Sequence, residues 1–208
     1  MKGYVFFVVT GFLSGAVLYS YLLPKLFCGV DVVQCSDDAN PGTSNAVKYA
    51  GWGIGLLCLL LDLLKGFVPV FWAMHRVNPL DPLFSVVIAA PVFGHAFSPF
   101  LRGRGGKAIA VSFGVLLAVA PITPLFYILV CLFLFFSGIL VIRPHRIRVM
   151  VVCGLLALYC LSRPMVPVFQ YAGLLVCATV VYKHLISSEP QKVQISFLKN
   201  VFQNKKAS

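Results

Sequence analysis

Apolar residues run along the chain in long stretches broken by short polar segments, and the stretches have the length of helices that cross a bilayer. A hydrocarbon core about 30 Å thick takes about 20 helical residues. Reading apolar runs between polar breaks gives about seven helices, over 3–24, 50–74, 83–100, 107–121, 122–142, 149–162 and 166–183. Asp62, Lys65 and Pro69 interrupt the second, and the fourth and fifth meet between Pro121 and Pro124. No small-x-small cleavage site follows the first run, which is therefore read as a retained span and not a secretory signal. The pattern predicts an all-α integral membrane protein with a single polytopic domain over 1–190 and a basic cytoplasmic tail over 191–208. In that tail Ile195, Phe197, Leu198, Val201 and Phe202 are set among Lys192, Lys199, Lys205 and Lys206, which predicts an amphipathic helix lying on the membrane.

Composition strengthens this picture. With 60% hydrophobic and 11% charged residues and a mean hydropathy of +0.93, the 208-residue chain is too apolar to keep its surface in water. The cations then orient it, because short cytoplasmic loops carry the Lys and Arg excess. With the N-terminus outside and the C-terminus cytoplasmic, thirteen of the seventeen Lys and Arg residues fall on the cytoplasmic side, only Lys2, Arg76 and Arg163 fall outside, and Lys65 lies within a span. The net charge of +11 is accounted for by orientation and by attraction to anionic membrane lipid, and no soluble basic surface with stacking aromatics points to nucleic acid. Five of the seven cysteines lie in apolar runs, and Cys28 and Cys35 lack the spacing of a zinc or redox motif, so no metal or cofactor is expected.

Three cytoplasmic segments carry groups that bind phosphate. In the first, Asp37-Asp38-Ala39-Asn40-Pro41-Gly42-Thr43-Ser44-Asn45 leads to Lys48 at a helix start, a pattern that fits either a capping turn or an anion site. Its two aspartates repel a phosphate unless a cation or metal offsets them. In the second, Arg104-Gly105-Gly106-Lys107 follows His95 and sets two cations around a glycine pair, which allows close backbone approach to an oxyanion; a flexible positive loop fits as well. The third, Tyr182-Lys183-His184-Leu185-Ile186-Ser187, closes the last span and alone reads as an interface anchor. Within the second span Asp62 and Lys65 stand three apart on one helical face, where they pair, line a site, or both.

Taken in this order, the segments resemble the acyl-phosphate:glycerol-3-phosphate acyltransferase family, the PlsY type. That family carries Gly-Ser-Gly-Asn-x-Gly-Ala-Thr-Asn after its first span, Asp-x-x-Lys-Gly in its second, a Gly-His…Lys-Gly-Gly-Lys-Gly loop, and Tyr-Arg-His-x-x-Asn ending its last span. The resemblance covers nearly the whole chain. It implies transfer of an acyl group from acyl-phosphate to the 1-hydroxyl of glycerol 3-phosphate, giving lysophosphatidic acid and phosphate, without cofactor and with a substrate phosphate taking the hydroxyl proton. It places Asn40, Gly42, Ser44, Asn45 and Lys48 in one phosphate-binding element, and His95, Arg104, Gly105, Gly106 and Lys107 in another. His184 and Ser187 fall in a third, with Asp62 and Lys65 lining the site. Of these, His95, Lys107 and His184 are the catalytic candidates. A multi-pass place in a bacterial plasma membrane, a site facing the cytoplasm and an acyl-phosphate-producing enzyme as partner are implied too. The chain departs from the pattern where Asp37 and Asp38 replace Gly and Ser, where Arg143-Pro144-His145-Arg146-Ile147-Arg148 replaces a serine-bearing stretch, and where Ser187 replaces Asn. These departures keep a second reading open, a noncatalytic paralogue acting as a transporter or a phospholipid- or phosphate-binding membrane protein.

Overall fold

The structure, a computed structural model, describes residues 1–187 and 193–197. Among these, five helical segments are long and apolar enough to cross a membrane: Lys2–Cys28, Thr43–Met74, Phe84–Leu101, His145–Ser162 and Pro167–Leu185. Two shorter apolar segments, Ile109–Ala118 and Leu125–Ile139, correspond to the expected fourth and fifth helices. The helices are α1 (Lys2–Ala16), α2 (Tyr19–Cys28), α3 (Val32–Cys35), α4 (Thr43–Met74), α5 (Phe84–Ala96), α6 (Ile109–Ala118), α7 (Leu125–Leu134), α8 (His145–Ser162) and α9 (Pro167–Leu185).

The first span departs most from expectation. It continues to Cys28 but breaks at Val17 and Leu18. Such a break frees carbonyls in an apolar medium, where each must find a donor inside the protein. Ser98 Oγ donates to the Ala16 carbonyl at 2.6 Å, and Lys65 Nζ donates to the Val17 carbonyl at 2.5 Å. Close packing holds the break in place. A Cβ on Gly94 of α5 would stand 2.9 Å from the Ala16 nitrogen and collide with the Phe12 carbonyl, so α1 and α5 cross with their backbones almost touching.

Asp62, Lys65 and Pro69 do not interrupt α4. It kinks at Gly51 instead (φ 86°, ψ 167°), which folds its first turns back so that Val47 packs onto Gly55. Phe84, Ile88, Leu116, Leu156 and Phe169 fill the interior, whereas Leu56, Leu60, Leu158 and Leu161 face outward in a lipid-compatible belt.

A second correction concerns the chain after α7. A π-helical turn, Phe135–Ile139, ends that helix, and Leu140–Arg143 is a strand, β1, paired antiparallel with β2 (Gln194–Phe197), Ile142 opposite Ile195. The described part of the tail is therefore strand and not amphipathic helix, because β1 offers its open backbone edge a partner. Lys192 and residues 198–208, which carry the rest of the expected tail helix, lie outside the described residues.

Polar loops collect at one end of the bundle. Lys107 reaches Asp38 across 69 residues of chain, Arg146 donates to the carbonyls of Leu185 and Ser187, and β1 meets β2 there. At the other end Tyr4 Oη donates to the Asn78 carbonyl at 3.1 Å, which ties the start of α1 to the loop after α4.

Candidate active site

A cavity of about 900 Å³ opens at the polar end. Its wall is mixed in chemistry: Asp37, Asp38, Asn40, Gly42, Ser44, Asn45, Asp62, His95, Lys107, His145 and Arg148 line it together with Leu59, Leu63, Phe113, Leu117 and Phe126.

The loop before α4 is a rigid turn built on Asp38. One carboxylate oxygen, Oδ1, accepts from the Asn40 amide at 3.4 Å and from Asn45 Nδ2 at 2.9 Å, and Asn45 Nδ2 also donates to the Asn40 carbonyl at 2.9 Å. The other oxygen, Oδ2, accepts from Lys107 Nζ at 2.6 Å. Burial pushes the Asp38 carboxyl up, but the hydrogen bonds from Lys107 and Asn45 together with the lysine charge outweigh it and hold the group below the ordinary carboxylate range. Gly42 and Ser44 bring the opening turn of α4 to the cavity, where unpaired helix amides favour an anion.

The Arg-Gly-Gly-Lys loop is pressed against His95. The Gly106 amide donates to the His95 carbonyl at 3.1 Å. A Cβ on Gly105 would lie 2.7 Å from the Ala96 carbonyl oxygen, and one on Gly106 would collide with the His95 ring. Only glycine permits this approach, and it delivers Lys107 into the cavity with its side chain 9% exposed. His95 is 4% exposed, and its Nδ1 has no hydrogen-bond partner among the described residues. Both loops contain alanine in left-handed backbone, Ala39 at φ 46° and Ala108 at φ 61°, where the family pattern has glycine. Strain of about 1–2 kcal/mol per alanine is stored beside the site.

Beneath the cavity lies a polar chain. Thr43 and Ser20 hydroxyls stand 3.4 Å apart, Ser20 Oγ donates to Asp62 Oδ2 at 2.7 Å, and Asp62 Oδ1 lies 2.7 Å from Lys65 Nζ. Asp62 reaches the cavity wall, while Lys65 sits behind it and closes the break in the first span. The pair expected from the three-residue spacing is thus formed, and much of its work is structural.

Other expected site residues stand apart from the cavity wall. Lys48 is exposed, 3.8 Å from Asp37, and Arg104 is exposed beyond the glycine pair. His184 is buried in α9, where Nδ1 lies 2.8 Å from the Val180 carbonyl, and its ring is 6.3 Å from that of His145. The Ser187 carbonyl accepts from Arg146 at 3.1 Å. The structure adds two residues that sequence reasoning treated only as a departure. His145 and Arg148 occupy the first turn of α8, with Arg148 Nη2 2.6 Å from His145 Nδ1, and both line the cavity that also holds Lys107. Their three-residue spacing at the start of an apolar helix was the available signal.

A profile of the family described as glycerol-3-phosphate acyltransferase matches residues 5–189. Among curated relatives, a glycerol-3-phosphate acyltransferase of Desulfovibrio desulfuricans is 37% identical over 116 residues, 56% of this chain and 51% of the relative. Glycerol-3-phosphate acyltransferase 1 of Thermotoga maritima is 43% identical over 112 residues, 52% of this chain and 54% of the relative. The aligned chain thus spans about half the length of these two relatives. A glycerol-3-phosphate acyltransferase of Trichlorobacter lovleyi is 32% identical over 184 residues, 88% of this chain and 91% of the relative. The fold is shared with the glycerol 3-phosphate form of PlsY (YgiH), an integral membrane glycerol 3-phosphate acyltransferase, at a TM-score of 0.73 and 22% identity over 98% of this chain and 92% of that one. From the profile match and the near-full-length relative, this chain belongs to the glycerol-3-phosphate acyltransferase family.

Proposed function

We propose that this protein transfers a fatty acyl group from acyl-phosphate to the 1-hydroxyl of glycerol 3-phosphate, releasing lysophosphatidic acid and inorganic phosphate. The observation that carries this reading is the mixed lining of the cavity, where the cations Lys107 and Arg148 and donors such as Asn45 share one space with Phe113, Leu117 and Phe126. Such a cavity suits two phosphate-bearing reactants of which one trails an acyl chain.

The hydroxyl oxygen attacks the acyl carbonyl, the carbon–oxygen bond to phosphate breaks, and the departing phosphate takes the hydroxyl proton. Lys107 and Arg148, which line the same cavity, hold phosphate groups through charge-assisted hydrogen bonds and stabilise the charge that builds as phosphate leaves. His95, buried on the wall with Nδ1 unpartnered among the described residues, orients the carbonyl or the hydroxyl. Holding both reactants in one cavity replaces a bimolecular encounter with a positioned one. His184 acts from behind His145. The acceptor end faces the cytoplasm of a bacterial cell in this reading, which agrees with the Lys and Arg excess at the polar end.

One observation favours the noncatalytic alternative: Asp38 occupies the very lysine a phosphate would use. Purified protein given palmitoyl-phosphate separates the two readings. Acceptor-dependent formation of lysophosphatidic acid supports the acyltransferase, and its absence beside an active family enzyme supports the binding protein.

A further inference from the structure

We propose that Asp38 is a specificity-determining residue that competes with incoming phosphate for Lys107, so that the site disfavours free inorganic phosphate relative to a phosphate that carries hydroxyl groups. This rests on Lys107 being the phosphate-holding residue of the proposed reaction.

The carboxylate is built to compete. Its two oxygens are held separately, Oδ2 on Lys107 Nζ at 2.6 Å and Oδ1 on Asn45 Nδ2 at 2.9 Å, with the Asn40 amide 3.4 Å away. The Asp38 side chain is 16% exposed and lines the same cavity as Lys107. An anion that reaches Lys107 must displace this carboxylate or tolerate it as a like charge within contact distance. A bare phosphate has only its charge with which to do so. A glycerol phosphate also offers hydroxyls, for which the Asp38 carboxylate, once freed from Lys107, is an acceptor, whereas an acyl chain buries against Phe113, Leu117 and Phe126 whether or not that carboxylate is present. Inorganic phosphate therefore bears the full cost of displacing Asp38, and glycerol phosphate recovers part of it. In the family pattern this position is serine, which neither pairs with a lysine nor repels an anion, so the discrimination is a property of this chain and not of the fold.

The effect is a competition, and its size is that of the internal pair. A charge-assisted hydrogen bond of this geometry corresponds to about a ten- to hundredfold change in an equilibrium constant. Asp38→Asn keeps the shape and an acceptor for Asn45 while removing the charge. Asp38→Ser removes the carboxylate altogether and guards against a local packing artefact in the first variant.

The test measures inorganic phosphate in two ways: directly, through the shift it causes in the thermal unfolding of detergent-purified protein, and kinetically, as an inhibitor of palmitoyl-phosphate turnover. Both variants are expected to bind phosphate at least tenfold more tightly than wild type, with a correspondingly lower inhibition constant and a smaller fall in KM for glycerol 3-phosphate. Phosphate affinity that is unchanged or weaker in both variants, or a fall in KM for glycerol 3-phosphate as large as the gain for phosphate, overturns the inference. Tighter phosphate binding in variants of a protein that shows no turnover upholds the competition and removes the acyltransferase reading instead.

Discussion

Replacing Lys65 by methionine keeps the length of the side chain and removes the cation from a pair in which both partners are inaccessible, Asp62 at 1% and Lys65 at 2% side-chain exposure. Two groups lose their partner. Asp62 retains only the Ser20 hydroxyl at 2.7 Å, and the Val17 carbonyl, freed by the break in the first span, loses its donor. Stranding a buried charge in this way costs about 3–5 kcal/mol. For a chain of this size that corresponds to a fall in unfolding temperature on the order of 10 °C. Replacing both partners, Asp62→Leu with Lys65→Met, removes the stranded charge, leaves the Val17 carbonyl without its donor at about 1–3 kcal/mol, and leaves the Ser20 hydroxyl to turn to Thr43, 3.4 Å away. The double variant is therefore expected to be more stable than Lys65→Met alone, an inversion that only a coupled pair gives. Thermal unfolding in detergent of the wild type, both single variants and the double variant measures it. A double variant that loses the sum of the two single losses would refute the claim that the pair holds the break together.

Three further outcomes are expected. Lys107→Ala removes a charge-assisted contact to phosphate worth about 1.5–3 kcal/mol, so turnover should fall about tenfold to hundredfold, and unchanged turnover in well-folded protein would take Lys107 out of the site. Ala108, at φ 61°, pays for left-handed backbone, so Ala108→Gly should raise stability by up to about 1 kcal/mol, whereas Ala157→Gly within α8 should lower it by about 0.5–1 kcal/mol. Because the Asp38 carboxyl is held below its unfolded value, the Asp38–Lys107 pair contributes fully above about pH 4 and loses its contribution as pH falls through the lower folded value. The stability difference between wild type and Asp38→Asn, measured by thermal unfolding, should thus be present at neutral pH and shrink progressively as pH falls below about 4.

Features encoded locally were legible in the chain. Asp62 and Lys65 announce their pair by standing three apart on a helix, and the glycines of Arg104-Gly105-Gly106-Lys107 announce a close approach, which turned out to be onto His95. Features that depend on distant partners were not. Val17 and Leu18 carry no breaker signal, and the break they form is sustained by Lys65 and Ser98, 48 and 82 residues away. Asp38 looked hostile to phosphate because the lysine that neutralises it lies 69 residues on. The helical spacing of apolar residues in the tail misled over Gln194–Phe197, since the open edge of β1, far back in the chain, decides that backbone's conformation. His145 and Arg148 read as a lost serine stretch until the start of α8 placed them on the cavity wall.

A cavity that joins an acyl-phosphate to glycerol 3-phosphate must release inorganic phosphate, so phosphate release from palmitoyl-phosphate by the purified protein, with and without glycerol 3-phosphate, is the most direct measurement. Release that depends on the acceptor and is matched by lysophosphatidic acid is the expected result. No acceptor-dependent release, beside an active family enzyme under the same conditions, would contradict that role for the cavity.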